Sequence, residues 1–333
     1  MSSYTTSAWP AANAAIATVL FSHFLWMTAA DASPLSIPLP GARAYPESIT
    51  STPDGTLYIG RLGEGGVVRA NPRTEETTVF VAPGASGSQS IAGVYADYAS
   101  KTLWACSNDW SALGGPSGRV HHGSTLEGFD LKSGVAKRSV PLPGAHPFCN
   151  DIAVDTSGTV YVTDSAGPNV LRLRKSASAF EVFASNPQFL PPPNGGAGLD
   201  GVAFGGDGNL YVTTYAAGGL FRIDLKNGSA ARVIKLRGTS LSLPDALRAL
   251  GEKTFLLVEG SGSLDRVEID GDRFKATPIR HGFKVPTSAT RVGSTVWVSE
   301  GQLSFFFDQS HKHQAPSLPF RVYAVPLRKG QIQ

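Results

Sequence analysis

The sequence predicts an all-β fold, a six-bladed β-propeller with four-stranded blades around a central channel, and two observations lead to this prediction. The 333 residues are 41% hydrophobic and 17% charged and include 37 glycines and 23 prolines, which indicates a folded, turn-rich chain and excludes disordered and coiled-coil proteins. A short segment, a turn followed by apolar, aromatic and apolar residues, also recurs six times, at Asp54–Ile59, Lys101–Ala105, Ser157–Val162, Asp207–Val212, Lys253–Leu257 and Gly293–Val298.

The spacing of these copies sets the architecture. When the copies are aligned, one position, called the column below, is aromatic in all but one copy and holds Tyr58, Trp104, Tyr161, Tyr211, Leu256 and Trp297. Successive column residues lie 46, 57, 50, 45 and 41 residues apart. A period of about 40–50 residues with several strands per unit is typical of a propeller, whose radial closure protects the sheet edges. A pair of β-sandwiches with accidental similarity is the alternative.

The first element is a leader of different composition. Residues 1–30 contain no Lys, Arg, Asp or Glu, and the apolar stretch inside this segment is interrupted by polar residues, which makes it a poor membrane span. Ala30-Asp31-Ala32 matches the small-x-small pattern of signal-peptidase sites. We expect residues 1–32 to be a signal peptide or leader and residues 33–333 to be one propeller domain, secreted or periplasmic. An uncleaved anchor and a disordered leader are the alternatives.

The remaining strands follow from the repeat. Third strands are predicted downstream of the copies, as at Val67–Arg69, and fourth strands in places, as at Thr77–Val81. The last blade lacks one strand after Leu327, and Pro34–Leu39 can supply it and close the ring. Only the repeat assigns Leu243–Leu250 to a strand, because its local pattern is closer to a helical turn.

The chain has two cysteines, Cys106 and Cys149. In an exported protein an even count permits one disulfide, and two small buried apolar side chains are the other interpretation.

Candidate metal ligands are found by counting back along the sequence from each column residue. The residues eleven positions earlier are Glu47, Gly93, Asn150, Asp200, Asp245 and Pro286. Equivalent positions on innermost strands lie on a ring around the channel, so the four oxygen-bearing side chains should converge. Converging carboxylates repel unless a cation neutralises them, and the lack of Cys and His among them favours Ca²⁺, with Mg²⁺, Mn²⁺ or Zn²⁺ as substitutes. Each residue taken alone is more often a turn former.

These residues also resemble a known family. Tyr45-Pro46-Glu47-Ser48, Cys149-Asn150-Asp151, Leu199-Asp200-Gly201 and Leu243-Pro244-Asp245 are similar to the metal-ligand motifs of the gluconolactonase/senescence-marker-protein family. More distantly they resemble paraoxonase-like and strictosidine synthase-like propellers. The resemblance implies a catalytic divalent cation that serves lactone or ester hydrolysis, with Asp245 as general base. The family usually has Asn where Asp200 stands, and Phe148 replaces its basic residue.

Other residues are weaker candidates. His146, near the predicted channel mouth, is a candidate proton shuttle or substrate contact, and an ordinary loop histidine is the alternative. Asp164, Glu259 and Glu300 share the third position after the column and either line one rim or serve turns. A nucleophilic role for Cys149 is disfavoured, because strand alternation points its side chain away from that of Asn150.

Two long insertions, Trp110–Thr125 and Gln302–Pro319, are predicted to cover the channel mouth. The second carries the apolar run Phe305–Phe307, which favours a substrate with hydrophobic character. Packing of these phenylalanines between blades is the alternative.

Three functions remain open. The first is a metal-dependent lactonase or esterase acting on a small-molecule lactone or ester. The second is a non-catalytic binding module with a structural cation, and the third is a strictosidine synthase-like, non-hydrolytic role. The balanced charge, without basic runs, gives no nucleic-acid footprint, and no Gly-x-Ser-x-Gly elbow, P-loop or His-Glu-x-x-His occurs.

Overall fold

Six antiparallel sheets form the fold, which confirms the all-β, six-bladed propeller predicted from the repeat. The computed structural model describes residues 1–3, 5, 35–111, 123–226, 229–308, 310 and 314–331. Contacts divide the chain into Met1–Ser33 and Pro34–Gln333, and all six blades lie in the second unit. The predicted leader, residues 1–32, falls almost wholly outside the described residues and stays a prediction.

Each blade runs from an innermost strand at the channel to an outer strand. Blades 1 to 3 consist of β2 (Pro46–Ser51), β3 (Leu57–Arg61), β4 (Val67–Ala70) and β5 (Thr77–Val81); β6 (Ser90–Asp97), β7 (Thr102–Asn108), β8 (Ser124–Asp130) and β9 (Ala136–Pro141); and β10 (Cys149–Val154), β11 (Val160–Asp164), β12 (Asn169–Leu173) and β13 (Glu181–Ser185).

Blade 5 has a fifth, two-residue strand that pairs in parallel with its outer strand. Blades 4 to 6 consist of β14 (Leu199–Phe204), β15 (Leu210–Thr214), β16 (Gly219–Lys226) and β17 (Ser229–Lys235); β18 (Arg237–Gly238), β19 (Pro244–Ala249), β20 (Thr254–Glu259), β21 (Ser263–Asp270) and β22 (Arg273–His281); and β23 (Pro286–Val292), β24 (Thr295–Glu300), β25 (Arg321–Pro326) and β1 (Ser36–Pro38). The helical elements of the described residues are α1 (Ser304–Phe307) and single 3₁₀ turns at Ala85–Gly87, Pro187–Phe189 and Lys329–Gln331.

The ring closes as the sequence predicts. Strand β1 pairs antiparallel with β25, placing Ile37 opposite Val322, so the first described strand completes the last blade. Consecutive innermost strands contact one another all the way round, including β23 with β2. This closure leaves no blade edge open at the seam.

The hairpin between the two inner strands is built by turn residues. In blades 1, 3 and 4 an aspartate accepts backbone N–H groups of its own turn, and a glycine with positive φ follows it. Such side-chain-to-backbone bonds favour Asp in these turns, and the positive φ favours Gly. The hairpin therefore fixes where the column residue enters the sheet, and the column residues Tyr58, Trp104, Tyr161, Tyr211, Leu256 and Trp297 are all buried in the apolar clusters.

Two sequence ambiguities are resolved. Leu243–Leu250 contains strand β19 and so follows the repeat rather than its local helical pattern, because pairing with β20 outweighs local preference. Cys106 and Cys149 form a disulfide that joins β7 of blade 2 to β10 of blade 3. Among the described residues no helix has the length and apolarity that a membrane crossing requires.

Candidate functional site

Every innermost strand carries a β-bulge near its start. The regular register breaks between Pro46 and Ser48 in β2, between Cys149 and Ile152 in β10, and at the matching place in β6, β14, β19 and β23. A bulge turns a side chain away from the alternating pattern of its strand. The residue turned in this way in blades 1, 3, 4 and 5 is respectively Glu47, Asn150, Asp200 and Asp245.

The structure brings these four predicted residues together at one place in the channel. All four line a single site and are almost fully buried, with 7%, 4%, 4% and 7% of their surfaces exposed. Asp151, Arg248 and Thr287 line the same site. The side chains close on one another and leave no water-sized space among them.

The counted positions in blades 2 and 6 need a correction. In blades 1, 3, 4 and 5 the column residue lies eight positions after its partner on the innermost strand, as with Thr50 and Tyr58. The interval is nine in blade 2, from Tyr95 to Trp104, and seven in blade 6, from Thr290 to Trp297. The bulge positions there are therefore Ala92 and Thr287, rather than Gly93 and Pro286.

Hydroxyl groups of the second strands hold the bulges in place. Thr163 Oγ1 accepts the N–H of Asp151 in its own blade at 3.0 Å and donates to the carbonyl of Asp200 in the next blade at 2.6 Å. Thr213 Oγ1 accepts the N–H of Gly201 at 2.8 Å and donates to the carbonyl of Asp245 at 2.9 Å. Each hydroxyl thus fixes two adjacent blades at a candidate ligand.

The amide of Asn150 is oriented by a neighbouring strand end. Its Nδ2 donates to Ser165 Oγ at 2.8 Å, and Ser165 in turn donates to the carbonyl of Leu199. With the nitrogen held in this way, the amide oxygen is the atom free to serve as a ligand. Oxygen is the donor that hard cations select.

One partly buried cation belongs to the site. Arg248 forms a two-pronged ion pair with Asp151, at 2.6 Å and 3.0 Å, and also donates to Ser288 Oγ at 3.1 Å. Asp151 Oδ2 additionally accepts the N–H of Val202 at 3.0 Å. Such fork geometry satisfies both partners, so Asp151 is the ion-pair partner of Arg248, and the charge of Arg248 acts on Glu47, Asp200 and Asp245 without an ion pair.

The other three carboxylates have no such partner. Among the described residues no Lys, Arg or His forms an ion pair with Glu47, Asp200 or Asp245. Burial, reinforced by the charge of Asp151, raises the pKa of Asp200 to about 8, although its hydrogen bond with Asp245 works against this rise. Burial and then neighbouring carboxylates raise the pKa of Glu47 and of Asp245 well above their usual range. Three acids share one low-dielectric space and need either protons or a cation.

The arrangement fits a hard cation by donor chemistry rather than by preformed geometry. Three carboxylates and one amide oxygen are the ligand types that Ca²⁺ and Mg²⁺ take, and no soft donor is present at the site. In the described part of the chain, no three His, Cys, Asp or Glu side chains are already placed around a common point as a coordination shell. The carboxyls lie against one another, as the Asp200–Asp245 hydrogen bond shows.

Two residues that line the site, and one that lies near its carboxylates, escaped the sequence reasoning. Asp151 and Arg248 lie one and three positions beyond candidate ligands but belong to no repeated column, so only the folded ring pairs them. Tyr215 lies just after β15, and burial, followed by the charges of Asp245 and Asp200, raises the pKa of its phenol. The sequence feature that could have identified Tyr215 is its position four residues after the column, which Ser165 occupies in blade 3.

The structure gives the weaker candidates different environments. His146 is exposed on the loop before β10 and is not among the residues that line the site. Asp164, Glu259 and Glu300 each accept the N–H of the loop entering the innermost strand of their blade, from Phe148, Ser242 and Lys284 respectively. That repeated contact is a structural use of the carboxylate. Cys149 is consumed by the disulfide.

The two insertions touch each other through aromatic rings. Residues 112–122, 309 and 311–313 lie outside the described residues. The ring of Trp110 lies 5.3 Å from that of Phe307 and 5.2 Å from that of Phe148. Phe306 is buried and packs 5.3 Å from Tyr45, two residues before Glu47, whereas Phe307 is partly exposed. Packing against the blades therefore accounts for Phe306, and Phe307 is left to face Trp110.

Solved structures share this fold at low sequence identity. The major allergen Mala s 1 of Malassezia sympodialis has a TM-score of 0.66 at 17% identity, covering 88% of this chain and 96% of that one. A gluconolactonase from Xanthomonas campestris gives 0.61 at 15% identity, with 90% and 96% covered. The calcium-binding protein regucalcin from Agrobacterium tumefaciens gives 0.58 at 17%, with 89% and 96% covered. No family model and no curated protein matches the sequence. Likeness at this identity shows the fold.

Proposed function

We propose that the chain is a divalent-cation-dependent hydrolase that opens a lactone or a related ester. The cluster of three buried carboxylates, Glu47, Asp200 and Asp245, is costly to maintain unless binding a cation offsets the repulsion. A costly group in a channel is a candidate functional site.

The four bulge residues would hold the cation, with Ca²⁺ as the first expectation. When bound, a divalent cation supplies Lewis acidity toward a carbonyl oxygen and lowers the pKa of water. Asp245 would accept the proton of the attacking water, because a carboxylate beside the cation is within reach of that water. Asp151 holds Arg248 in the channel wall, and the protonated phenol of Tyr215 can donate a hydrogen bond to the substrate.

Two further features support this assignment. The resemblance to the gluconolactonase/senescence-marker-protein family rests on the same four residues, and a gluconolactonase and a calcium-binding regucalcin share the fold. The aromatic contact between Trp110 and Phe307 favours a substrate with an apolar part.

Export of the mature chain remains part of the proposal, and the Cys106–Cys149 disulfide supports it, because disulfides persist in oxidising compartments.

A second candidate is a binding module whose cation is structural. The observation that favours it is Asp200, which stands where the resembling family usually has Asn. The additional negative charge tightens cation binding and reduces the polarising power of the bound ion. Under this alternative the site binds Ca²⁺ and turns over no lactone.

The deciding experiment combines calorimetric calcium binding with hydrolysis of a lactone and ester panel. Asp245→Asn should retain partial binding and lose about 10²–10⁴-fold in turnover, the usual effect of removing a general base. Asp200→Asn should bind calcium more weakly and keep or gain turnover at saturation. Asp270→Asn, at the exposed end of β21 in blade 5, is the matched control. Calcium binding without turnover of any lactone or ester would select the binding module.

His146 provides the check on the base. Because this side chain is exposed and outside the site lining, His146→Ala should leave turnover within about threefold of the parent. An inactive His146→Ala beside an active Asp245→Asn would show that the base had been assigned to the wrong residue.

The pH dependence of stability separates protons from cations at the site. The folded-state pKa of Glu47, Asp200 and Asp245 lies above the unfolded value, so without a cation their contribution is present at low pH and is lost as pH rises, through about 8 for Asp200. The rise in melting temperature on adding calcium should therefore grow from pH 5 to pH 8. Equal increments at all pH values would contradict the assignment. Glu259, whose pKa burial raises to about 7, contributes equally with and without calcium.

A further inference from the structure

A second cavity lies at the other end of the ring from the four bulge residues. It measures about 410 Å³ and is bounded by the inner hairpins of blades 2 and 3, Asp97–Thr102 and Asp155–Val160. The bulge residues sit where innermost strands begin, and these hairpins sit where they end, so a strand length separates the two sites. Cavities of about 300–1,000 Å³ are typical of small-molecule sites.

The wall of this cavity includes an apolar part formed by buried side chains. Trp104, Val160 and Leu173 line it and are at least nine-tenths buried. Gly128 makes room for the indole, since a Cβ at that position would stand 3.0 Å from Trp104 Cζ3. The hairpin of blade 2, with its nine-residue interval, thus carries one of the two tryptophans of the column.

The rim carries three cations. Lys137 donates to the carbonyls of Ser100 and Lys101, each at 3.2 Å, and to Thr102 Oγ1 at 3.0 Å. Arg138 donates to the carbonyls of Lys175 and Ala177. These contacts are with neutral oxygens, and within the described residues neither side chain, nor that of exposed Lys175, forms an ion pair.

Two carboxylates also line the cavity, but both are engaged within their own turns. Asp97 accepts from the N–H and hydroxyl of Ser100. Asp155 accepts from Ser157, Thr159 and the hydroxyl of Tyr161, and these bonds lower the pKa of Asp155 against the opposing effect of burial. Three cations against two anions leave the lining with one net positive charge.

We infer that this cavity binds a small organic anion, a carboxylate with a flat or aliphatic apolar body. The body would pack on Trp104, Val160 and Leu173, and the carboxylate would lie toward Lys137, Arg138 and Lys175. A single net positive charge and an apolar wall suit a monoanion better than a polyphosphate, which would require several uncompensated cations. The inference does not depend on the hydrolase proposal, because no residue is shared between the two sites.

The test is a titration of the full chain with 1-naphthoate, followed through tryptophan indole N–H resonances. The cross-peak of Trp104 is assigned by its loss in Trp104→Phe. This peak should shift with a dissociation constant on the order of 1 mM, as expected of a ligand of this size. Neutral 1-naphthalenemethanol should bind at least threefold more weakly, and inorganic phosphate should not compete.

Variants separate charge from packing. Lys175→Gln removes one exposed cation and should weaken naphthoate binding about threefold, whereas Lys226→Gln, an exposed lysine at the corresponding strand end of blade 4, should leave it unchanged. Asp200→Asn should also leave it unchanged, which excludes binding in the channel. No shift of the Trp104 peak, equal affinity for the neutral alcohol, or competition by phosphate would overturn the inference.

Discussion

The junction between blades 2 and 3 differs from the two junctions that follow it. In all three, the bridge to the next blade starts two residues after the column, at Cys106, Thr163 and Thr213. Thr163 and Thr213 reach the next innermost strand by hydrogen bonds to the carbonyls of Asp200 and Asp245. Cys106 reaches it by the covalent bond to Cys149, the residue before Asn150. The residue two positions after the column therefore links adjacent blades in all three cases, by a disulfide at Cys106 and by hydrogen bonds at Thr163 and Thr213.

The remaining junctions sharpen this comparison. Blade 6 reaches blade 1 through Ser299 and Thr287, and Thr287 donates to the carbonyl of Pro46 beside Glu47 at 3.0 Å. The same position holds Gly60 in blade 1 and Val258 in blade 5, whose side chains have no polar group. Those two blades precede β6 and β23, the strands without a candidate ligand. Every strand with a candidate ligand thus receives a bridge from this position of the blade before it. Strands β6 and β23 are joined to the preceding blade through other positions, by hydrogen bonds from the N–H of Val94 to Ser48 Oγ and from Arg248 to Ser288 Oγ.

The largest effect is expected from breaking the covalent bridge. Cys106→Ala/Cys149→Ala opens a loop between residues 43 apart and should lower the free energy of unfolding by about 2–4 kcal/mol. Cys106→Thr/Cys149→Ala offers a hydroxyl at the position that Thr163 and Thr213 occupy in blades 3 and 4, and the carbonyl of Asn150 lies close to Gly93 of blade 2. It should recover about 1 kcal/mol.

Urea unfolding of the oxidised parent, the reduced parent and both double variants measures this difference. The reduced parent is the control for the effect of the substitutions themselves. If the threonine variant is no more stable than the alanine variant, the sulfur and hydroxyl bridges are not equivalent.

A smaller effect is expected from the hydroxyl bridges. Thr213→Val leaves the N–H of Gly201 and the carbonyl of Asp245 without their partner and should cost about 1–3 kcal/mol. Because the bridge ends at a candidate ligand, calcium affinity should fall as well. Thr213→Ser keeps the hydroxyl and should preserve the affinity, so it is the matched control. Loss of stability with unchanged calcium affinity would confine the bridge to a structural role.

The sequence predicts the ring and most of the site, for a physical reason. Turn residues and the column are local features, and they recur in register, so Glu47, Asn150, Asp200 and Asp245 can be found by counting. Counting fails at Gly93 and Pro286, because the hairpins of blades 2 and 6 differ in length by one residue from the rest. The Asp151–Arg248 pair cannot be found in this way, since it joins blades 3 and 5 across the channel.

The smallest effect concerns the position four residues after the column, which is Tyr215 in blade 4 and Gly260 in blade 5. A Cβ on Gly260 would stand 2.7 Å from the Tyr215 hydroxyl, so Gly260→Ala should displace the phenol from its place near Asp245. Gly251→Ala is the matched control, because its Cβ would meet Thr254 at an ordinary 3.6 Å.

If Tyr215 donates a hydrogen bond to substrate, Tyr215→Phe should raise KM about threefold to tenfold, the value of one hydrogen bond, with calcium affinity unchanged. Gly260→Ala should act in the same direction in the parent and have a much smaller further effect in the Tyr215→Phe background, because the contact below 3.0 Å is with the hydroxyl and the nearest ring carbons lie at 3.3 Å. A double-mutant cycle on KM measures this coupling. Additive effects of the two substitutions would mean that Gly260 serves the backbone of blade 5. The difference between Tyr215 in blade 4 and Gly260 in blade 5 would then have no effect on substrate binding.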